Sequence, residues 1–347
     1  MFRPATSLLS VAAGALLALA LSTAQAAAPE SEPAQESGWH DPIDRALHEA
    51  LLAAAEIDFD GLDSRHAERY AQHDAAGPAI DETRRLSAGG RVHVNNVAGL
   101  IRVSTWDRDE VHVGGRLGSR SETLDVTGDA GDLSIVVRLP KQQRSSGDTV
   151  LELRLPARAR LEVETVSADL VATGVGGAVK VNTVSGDVAM AVASPELSVQ
   201  TVSGDVRLQA PSAKAARLNS VSGDLALDGL SGQLALETVS GNVELGGSGR
   251  FRDLQLKSVS GDLRLDVALE PGARVSGQTL SGEITLIVPQ AVAGTALLKS
   301  FSGDTQCEGA RAVEHRDGGK REFVWGDGRG AKIELSSFSG DIRVERK

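Results

Sequence analysis

The tripeptide Ser-Gly-Asp, or a near copy of it, returns at almost constant spacing through the second half of the chain. That periodicity limits the possible folds more than any other feature. Copies begin at Ser167, Ser185, Ser203, Ser222, Ser240, Ser260, Ser281, Ser302 and Ser339, at intervals of 18, 18, 19, 18, 20, 21, 21 and 37 residues. The last interval is one coil plus an insertion, or two coils with one degraded corner. Aligned on the serine, the copies form columns. One residue before it stand Val166, Val184, Val202, Val221, Val239, Val259, Leu280, Phe301 and Phe338, and two before it stands a Thr or Ser in every copy. Three and five residues after it, aliphatic side chains recur, as in Val206 and Leu208 or Leu225 and Leu227. Apolar positions two apart on each side of a glycine corner mark short strands.

A coil this short buries about five aliphatic side chains, too few to offset the ordering of its own backbone. It becomes stable only when stacked, with hydrogen bonds to a neighbour on each side and shared inner columns. The predicted fold is therefore all-β: a single-chain, β-helix-like β-solenoid of about nine or ten coils of 18–21 residues. A half-period copy at Ser231-Gly232-Gln233 predicts two corners and two strand walls per coil. A β-sandwich also uses short strands and regular turns, but it gives no reason for identical corners. Within each corner, a straight strand would send the Thr inward and the Val outward. Nine exposed apolar residues in file look unfavourable, so the expectation is a bend that turns the Val column in and leaves the hydroxyls at the bend.

The same register occurs earlier, with Val92, Val94, Val97, Ala98, Gly99, Ile101 and Val103 in the repeat columns. Residues 81–160 thus read as a less regular β part of the solenoid, and residues 161–347 as its regular part, with an insertion at 305–332. Residues 1–26 read as a signal peptide: Arg3, an apolar run from Leu8 to Leu21, and Ala24-Gln25-Ala26 before the cleavage point. Residues 27–40 read as a flexible linker. Residues 41–80 form a helical and irregular segment, with Asp41 as cap and Pro42 in the first turn of a short N-terminal helix spanning about 41–59. The product is expected in the periplasm, or outside the cell or on its surface, without a transmembrane segment.

Composition narrows the function. A single cysteine, Cys307, excludes an intrachain disulfide, and a net charge of −11 argues against nucleic acid or an anionic membrane as partner. Aromatics are 3% of residues, too few for the stacking platforms of most glycan binders. No Gly-x-Ser-x-Gly, His-Glu-x-x-His or P-loop occurs, and acids that recur once per coil suit a turn better than a unique active site. No catalytic residue and no cofactor is expected. The corners Ser185-Gly186-Asp187, Ser203-Gly204-Asp205, Ser222-Gly223-Asp224 and Ser260-Gly261-Asp262 read as structural. Asp187, Asp205 and Asp224 are weak candidates for a file of Ca²⁺ ions, since like charges one layer apart need some offset. Turn hydrogen bonds or solvent supply the plainer offset. In the insertion, Trp325 and Asp327 are the candidates for a binding element.

The segments Gly90-Arg91-Val92 through Val97-Ala98-Gly99 and Val103-Ser104-Thr105-Trp106-Asp107-Arg108-Asp109-Glu110-Val111, the serial corners, and the ending Ser339-Gly340-Asp341-Ile342 resemble one known family. It is the bacterial family of β-strand-repeat proteins regarded as candidate adhesins, domain-of-unknown-function family 4097. The resemblance covers about residues 80–347 and implies an exported, non-catalytic, adhesin-like module. The leading expectation is a cell-envelope or surface scaffold whose partner is an envelope protein or surface polymer. The alternatives are a carbohydrate-active or Ca-binding solenoid, and a periplasmic sensory or regulatory partner of an inner-membrane protein. The sequence leaves the oligomeric state open.

Overall fold

The computed structural model describes residues 77–119, 123–139, 147–313, 320–326 and 328–347. The chain divides into two units, Met1–Ile43 and Asp44–Lys347, and every described residue belongs to the second. The predicted signal peptide, linker and short N-terminal helix lie outside the described residues, as does Asp327.

The described chain is all strand and turn, joined in one 25-stranded sheet. The first six strands are β1 (Ala79–Arg85), β2 (Arg91–Trp106), β3 (Glu110–Arg116), β4 (Thr123–Gly128), β5 (Asp132–Arg138) and β6 (Thr149–Pro156). The regular region contains β7 (Arg160–Thr173), β8 (Val179–Ser185), β9 (Val188–Ala191), β10 (Glu196–Ser203), β11 (Val206–Gln209), β12 (Ala215–Ser220) and β13 (Leu225–Asp228). It continues through β14 (Gly232–Thr238), β15 (Val243–Gly246), β16 (Arg250–Ser260), β17 (Leu263–Asp266), β18 (Ala268–Ser281) and β19 (Ile284–Val288). The last strands are β20 (Gly294–Ser302), β21 (Thr305–Cys307), β22 (Arg311–Val313), β23 (Lys320–Trp325), β24 (Ala331–Ser339) and β25 (Ile342–Arg346).

Each regular coil contributes one strand before the Ser-Gly corner and one after it, and each pairs in parallel with its equivalents in the layers above and below. Leu197 lies beside Val179 on one side and Ala216 on the other, while Val206 lies beside Val188 and Leu225. Inner side chains of the two walls, such as Leu197 and Val199 with Val206 and Leu208, join one apolar core. The longer coils place their extra residues at the second turn, where Phe251 to Asp253 and Leu269 to Arg274 interrupt the register. The corner spacing therefore drifts while the walls stay aligned.

Layer order departs from chain order at both ends of the stack. At one end β2 lies between β7 and a layer made of β5 and β6, which follow it in sequence. At the other, β24 pairs with β18 on one side and β20 on the other, and β25 lies between β19 and β21. The last repeat in sequence is thus clamped one layer inside the stack. The 37-residue interval is one coil plus a hairpin, with its two corners in reversed spatial order. The β5/β6 layer carries no Ser-Gly-Asp corner, so the parallel stack has eleven layers, beyond the nine or ten expected from corners alone.

Antiparallel strands cover one end fully and the β20 half of the other. β4 covers β5, β3 covers β6, and β1 lies outside β3. At the opposite end β23 runs antiparallel along β20, with β22 outside it. Such caps pair backbone groups that would otherwise template association with another chain.

The clamped layer locks through side-chain shape as well. Leu335 of β24 lies in register with Gly277 of β18, and a Cβ on Gly277 would come within 2.7 Å of a Leu335 methyl. Leu335, fully buried, fills the space that glycine leaves. Leu335→Ala should open a cavity bordered by that glycine and reduce stability by about 3–5 kcal/mol, in the upper range for such truncations. Urea unfolding followed by circular dichroism measures the loss; a change below about 1 kcal/mol would contradict the packing.

Candidate functional site

The repeated corner is where the sequence concentrates its polar side chains, and hydrogen bonds spend most of them on the backbone. The Asp205 amide donates to Asp187 Oδ1 at 3.0 Å, the Asp224 amide to Asp205 Oδ1 at 3.0 Å, and the Asn242 amide to Asp224 Oδ1 at 2.8 Å. The ladder continues from Asp262 to Asn242 at 3.2 Å and from Glu283 to Asp262 at 2.9 Å. Each acidic side chain therefore accepts the N–H of the next corner. That contact needs only an acceptor oxygen, which is why Asn242 fits the column. At Glu283 the extra methylene redirects the carboxylate, which accepts from Thr285 Oγ1 at 2.9 Å and pairs with Arg343 of the adjoining layer.

Serine hydroxyls form a second ladder. Ser203, Ser222, Ser240 and Ser260 each donate at 3.3 Å to the carbonyl of the apolar corner residue one layer away, at Val184, Val202, Val221 and Val239. The glycines make the close approach possible. Gly223 has φ 114° and Gly241 φ 116°, and a Cβ on Gly241 would lie 2.1 Å from the Gly223 carbonyl oxygen. Both the left-handed backbone and the layer spacing exclude a side chain there.

The expected bend is not what the chain does. The Thr/Ser column points inward: Thr165, Thr183, Thr201, Ser220, Thr238, Ser258 and Thr279 are all buried. Five of these hydroxyls donate within their own turn, as Thr201 does to the Ser203 carbonyl at 3.1 Å and Thr279 to the Ser281 carbonyl at 3.0 Å. Thr165 Oγ1 accepts from the Ala168 amide at 2.9 Å, while Thr183 Oγ1 has no hydrogen-bond partner. The strand keeps its alternation up to the corner, so the next residue points out. Val166, Val184, Val202, Val221 and Val239 are half-buried by one another along the stack. Exposure then rises through Val259 at 37%, Leu280 at 53% and Phe338 at 54% to Phe301 at 81%. Phe301 and Phe338 belong to adjacent layers, and their rings stack with centroids 4.9 Å apart and planes 7° from parallel. The solenoid therefore carries an apolar file along one edge that becomes aromatic at one end.

The other candidates fall into place around this edge. Trp325, a candidate for a binding element, is 2% exposed and sits in the capping strand β23. Its indole N–H donates to the Glu308 carbonyl at 3.2 Å, and the Arg346 guanidinium lies 5.9 Å from its ring centre. The structured part of the insertion is a cap packed on the core. Near the opposite end, Trp106 donates to the Glu110 carbonyl at 2.8 Å under Arg108, which anchors that turn. Among the described residues, no group of three or more His, Cys, Asp or Glu side chains is placed to hold a metal ion. A shallow trough of about 470 Å³ lies over the second wall, where the small residues Ala189, Ala226 and Gly246 stand between Arg207, Glu244 and Arg264. Its charges alternate in sign, so it favours no one ligand class.

Two titratable groups stand out. Lys180, donating to Glu162 at 2.6 Å, holds that carboxyl below its ordinary value. This pair adds stability above the usual carboxylate range and loses it as pH falls through the lowered value. Burial pushes the Cys307 thiol up to about 12, which keeps it protonated and poorly nucleophilic.

Stacked parallel coils, corners closed on themselves by hydrogen bonds and an apolar edge define a β-solenoid-like repeat protein. The family model of Toastrack DUF4097 matches residues 91–345, and the chain belongs to that family. Among solved structures, similarity extends to a candidate cell adhesion protein from Clostridium sporogenes ATCC 15579, at 10% identity and a TM-score of 0.22, covering 78% of this chain and 100% of that one. A candidate adhesin from Bacteroides fragilis NCTC 9343 is 13% identical with a TM-score of 0.31, covering 77% and 97%. A candidate lipid binding protein from Parabacteroides distasonis ATCC 8503 is 12% identical with a TM-score of 0.30, covering 78% and 97%. No curated protein matches the chain.

If the acidic column serves as a file of hydrogen-bond acceptors, Asp205→Asn should keep the unfolding midpoint nearly unchanged. Asp205→Ala should lose about 1–2 kcal/mol by stranding the Asp224 amide. Thermal melts with added Ca²⁺ or with chelator should coincide. A rise of several degrees with Ca²⁺, abolished in Asp205→Asn, would instead make the column a cation site.

Proposed function

We propose that this chain is exported by way of residues 1–26 and serves as a non-catalytic scaffold or adhesin-like binding module of the cell envelope. The observation that carries the reading is the solvent-facing apolar edge on an otherwise self-satisfied stack. The corner carboxylates and hydroxyls are engaged with backbone, while Leu280, Phe338 and Phe301 remain more than half exposed. Contiguous exposed apolar surface is unfavourable in water and is retained where something covers it. A rigid rod that offers such a strip suits attachment more than chemistry. The regular layers keep the strip continuous, and antiparallel strands over β5, β6 and β20 blunt end-to-end association.

Export is supported by Arg3, the apolar run from Leu8 to Leu21 and Ala24-Gln25-Ala26 ahead of the expected cleavage point. The acidic balance of the chain disfavours direct attraction to anionic lipid, so the expected partner is an envelope protein or a surface polymer.

Co-sedimentation of the purified protein with cell-envelope fractions tests the reading. Binding should saturate, and Phe301→Ser with Phe338→Ser should weaken it at least tenfold without moving the unfolding midpoint. Equal binding by wild type and double variant would contradict the role of the edge. Release of reducing sugars from envelope polysaccharide by the purified protein would contradict the non-catalytic assignment.

A further inference from the structure

From the edge that the proposed function rests on, we infer that the strip is a self-association surface, occupied in the free protein by a second copy of this chain that an envelope partner would displace, with the two solenoids side by side and their layers in the same direction. Three features support this: the strip's size, its shape, and the charges that flank it.

The file runs through ten successive layers from Val97 to Phe301. At ~4.8 Å per layer it is about 45 Å long. With a width of roughly 15 Å, a pair of such strips would bury about 1,300–1,400 Å² over both copies, within the range of specific, stable interfaces. Because equivalent residues stack in register, the strip repeats the same outline layer after layer, and a two-fold axis along the stack sets each layer's outline against its own copy.

The flanks fix the direction. On one side lies the acidic column of the corner, and on the other the outward column three residues before each serine. A two-fold axis perpendicular to the stack would bring the two acidic columns together. An axis along the stack instead sets each acidic column against the other copy's outward column, layer by layer. In that arrangement Lys257 faces Asp262 of its twin, and Lys299 faces Asp304. Glu237 faces Asn242, the amide-bearing member of the acidic column. Lys257 and Lys299 are partly exposed, and Asp262, Asp304 and Asn242 are exposed. Glu164 would face Asp169, which is buried at 6% exposure and hydrogen-bonded to the Asp187 amide. The remaining outward-column members in these layers are amides or a serine. Thus both cationic positions, Lys257 and Lys299, paired in their own chain with Glu237 and Glu334 respectively, also meet aspartates of the other copy. Of the two anionic positions, Glu237 meets the neutral Asn242 while Glu164 meets the buried Asp169. The parallel arrangement also places the Phe301 and Phe338 rings of one copy on those of the other, at the most exposed end of the strip.

Light scattering on the purified protein, combined with cysteine cross-linking, tests this. The wild type should have the mass of a dimer at micromolar concentration. Phe301→Ser with Phe338→Ser should be monomeric with an unchanged unfolding midpoint. In a Cys307→Ser background, Val184→Cys alone and Phe338→Cys alone should each form disulfide-linked dimers on mild oxidation, because each residue faces its own copy across the axis. A monomeric wild type, a dimer unaffected by the double variant, or cross-linking at Val221→Cys or Val239→Cys but not near the ends would overturn the inference. If the wild type is monomeric yet the double variant loses envelope binding, self-association fails while the docking role stands. If dimers form as described but no envelope binding occurs, the docking role fails and the self-association stands.

Discussion

Every layer of this protein depends on the layer beside it. Parallel hydrogen bonds run from strand to strand with equivalent residues in register, so each inner position becomes a file of like side chains through the core. A single coil has too few apolar contacts to hold its own turns. This coupling explains why corner chemistry is so constant. A glycine with positive φ is needed where the neighbouring carbonyl approaches, an acceptor is needed for the next amide, and a small hydroxyl suits the narrow interior of the turn. It also explains what is free to vary. The second turn absorbs insertions, and the outward columns are set by solvent and partners.

The clamped layers at both ends follow from the same coupling. A repeat at the end of a stack has one neighbour and would fray. Here the first and last repeats in sequence each have two, because β5 with β6 and β20 with β21 lie outside them. Antiparallel strands then cover the outer edges of β5, β6 and β20. The ends of the described solenoid are held by segments from within the chain, and the apolar edge remains as the exposed strip along its side.

Much of the architecture is legible in the sequence, because burial with a period of two and a corner every 18–21 residues are direct consequences of stacking. The inner columns, such as Leu197 with Val199 and Leu225 with Leu227, follow from residue spacing alone. The order of the layers does not. Repeats that share one corner chemistry can each sit beside any other, so nothing in Ser281, Ser302 and Ser339 says that the last lies between the first two. The β5/β6 layer leaves no mark in the repeat because it lacks the corner. The direction of the Thr and Val columns is legible in principle. Alternation puts Thr inside, and reluctance to expose nine apolar residues argues otherwise. The growth of the outer column from Val to Leu to Phe is the signal that it faces open space, since a packed interior of fixed width has no room for it. Trp325 shows a further limit, because spacing in an irregular insertion gives no burial signal, and the ring packs against the core with its N–H on the Glu308 carbonyl.

Layer order is the part of the account that the sequence leaves open and everything at the C-terminal end relies on. Cross-strand nuclear Overhauser effects in isotopically labelled protein report it directly. The backbone of Ser336 should show contacts to both Gln278 and Lys299, its register partners in the two adjoining layers. Direct contacts between Gln278 and Lys299, with Ser336 touching only one of them, would mean that the coils stack in chain order and that the clamped arrangement is wrong.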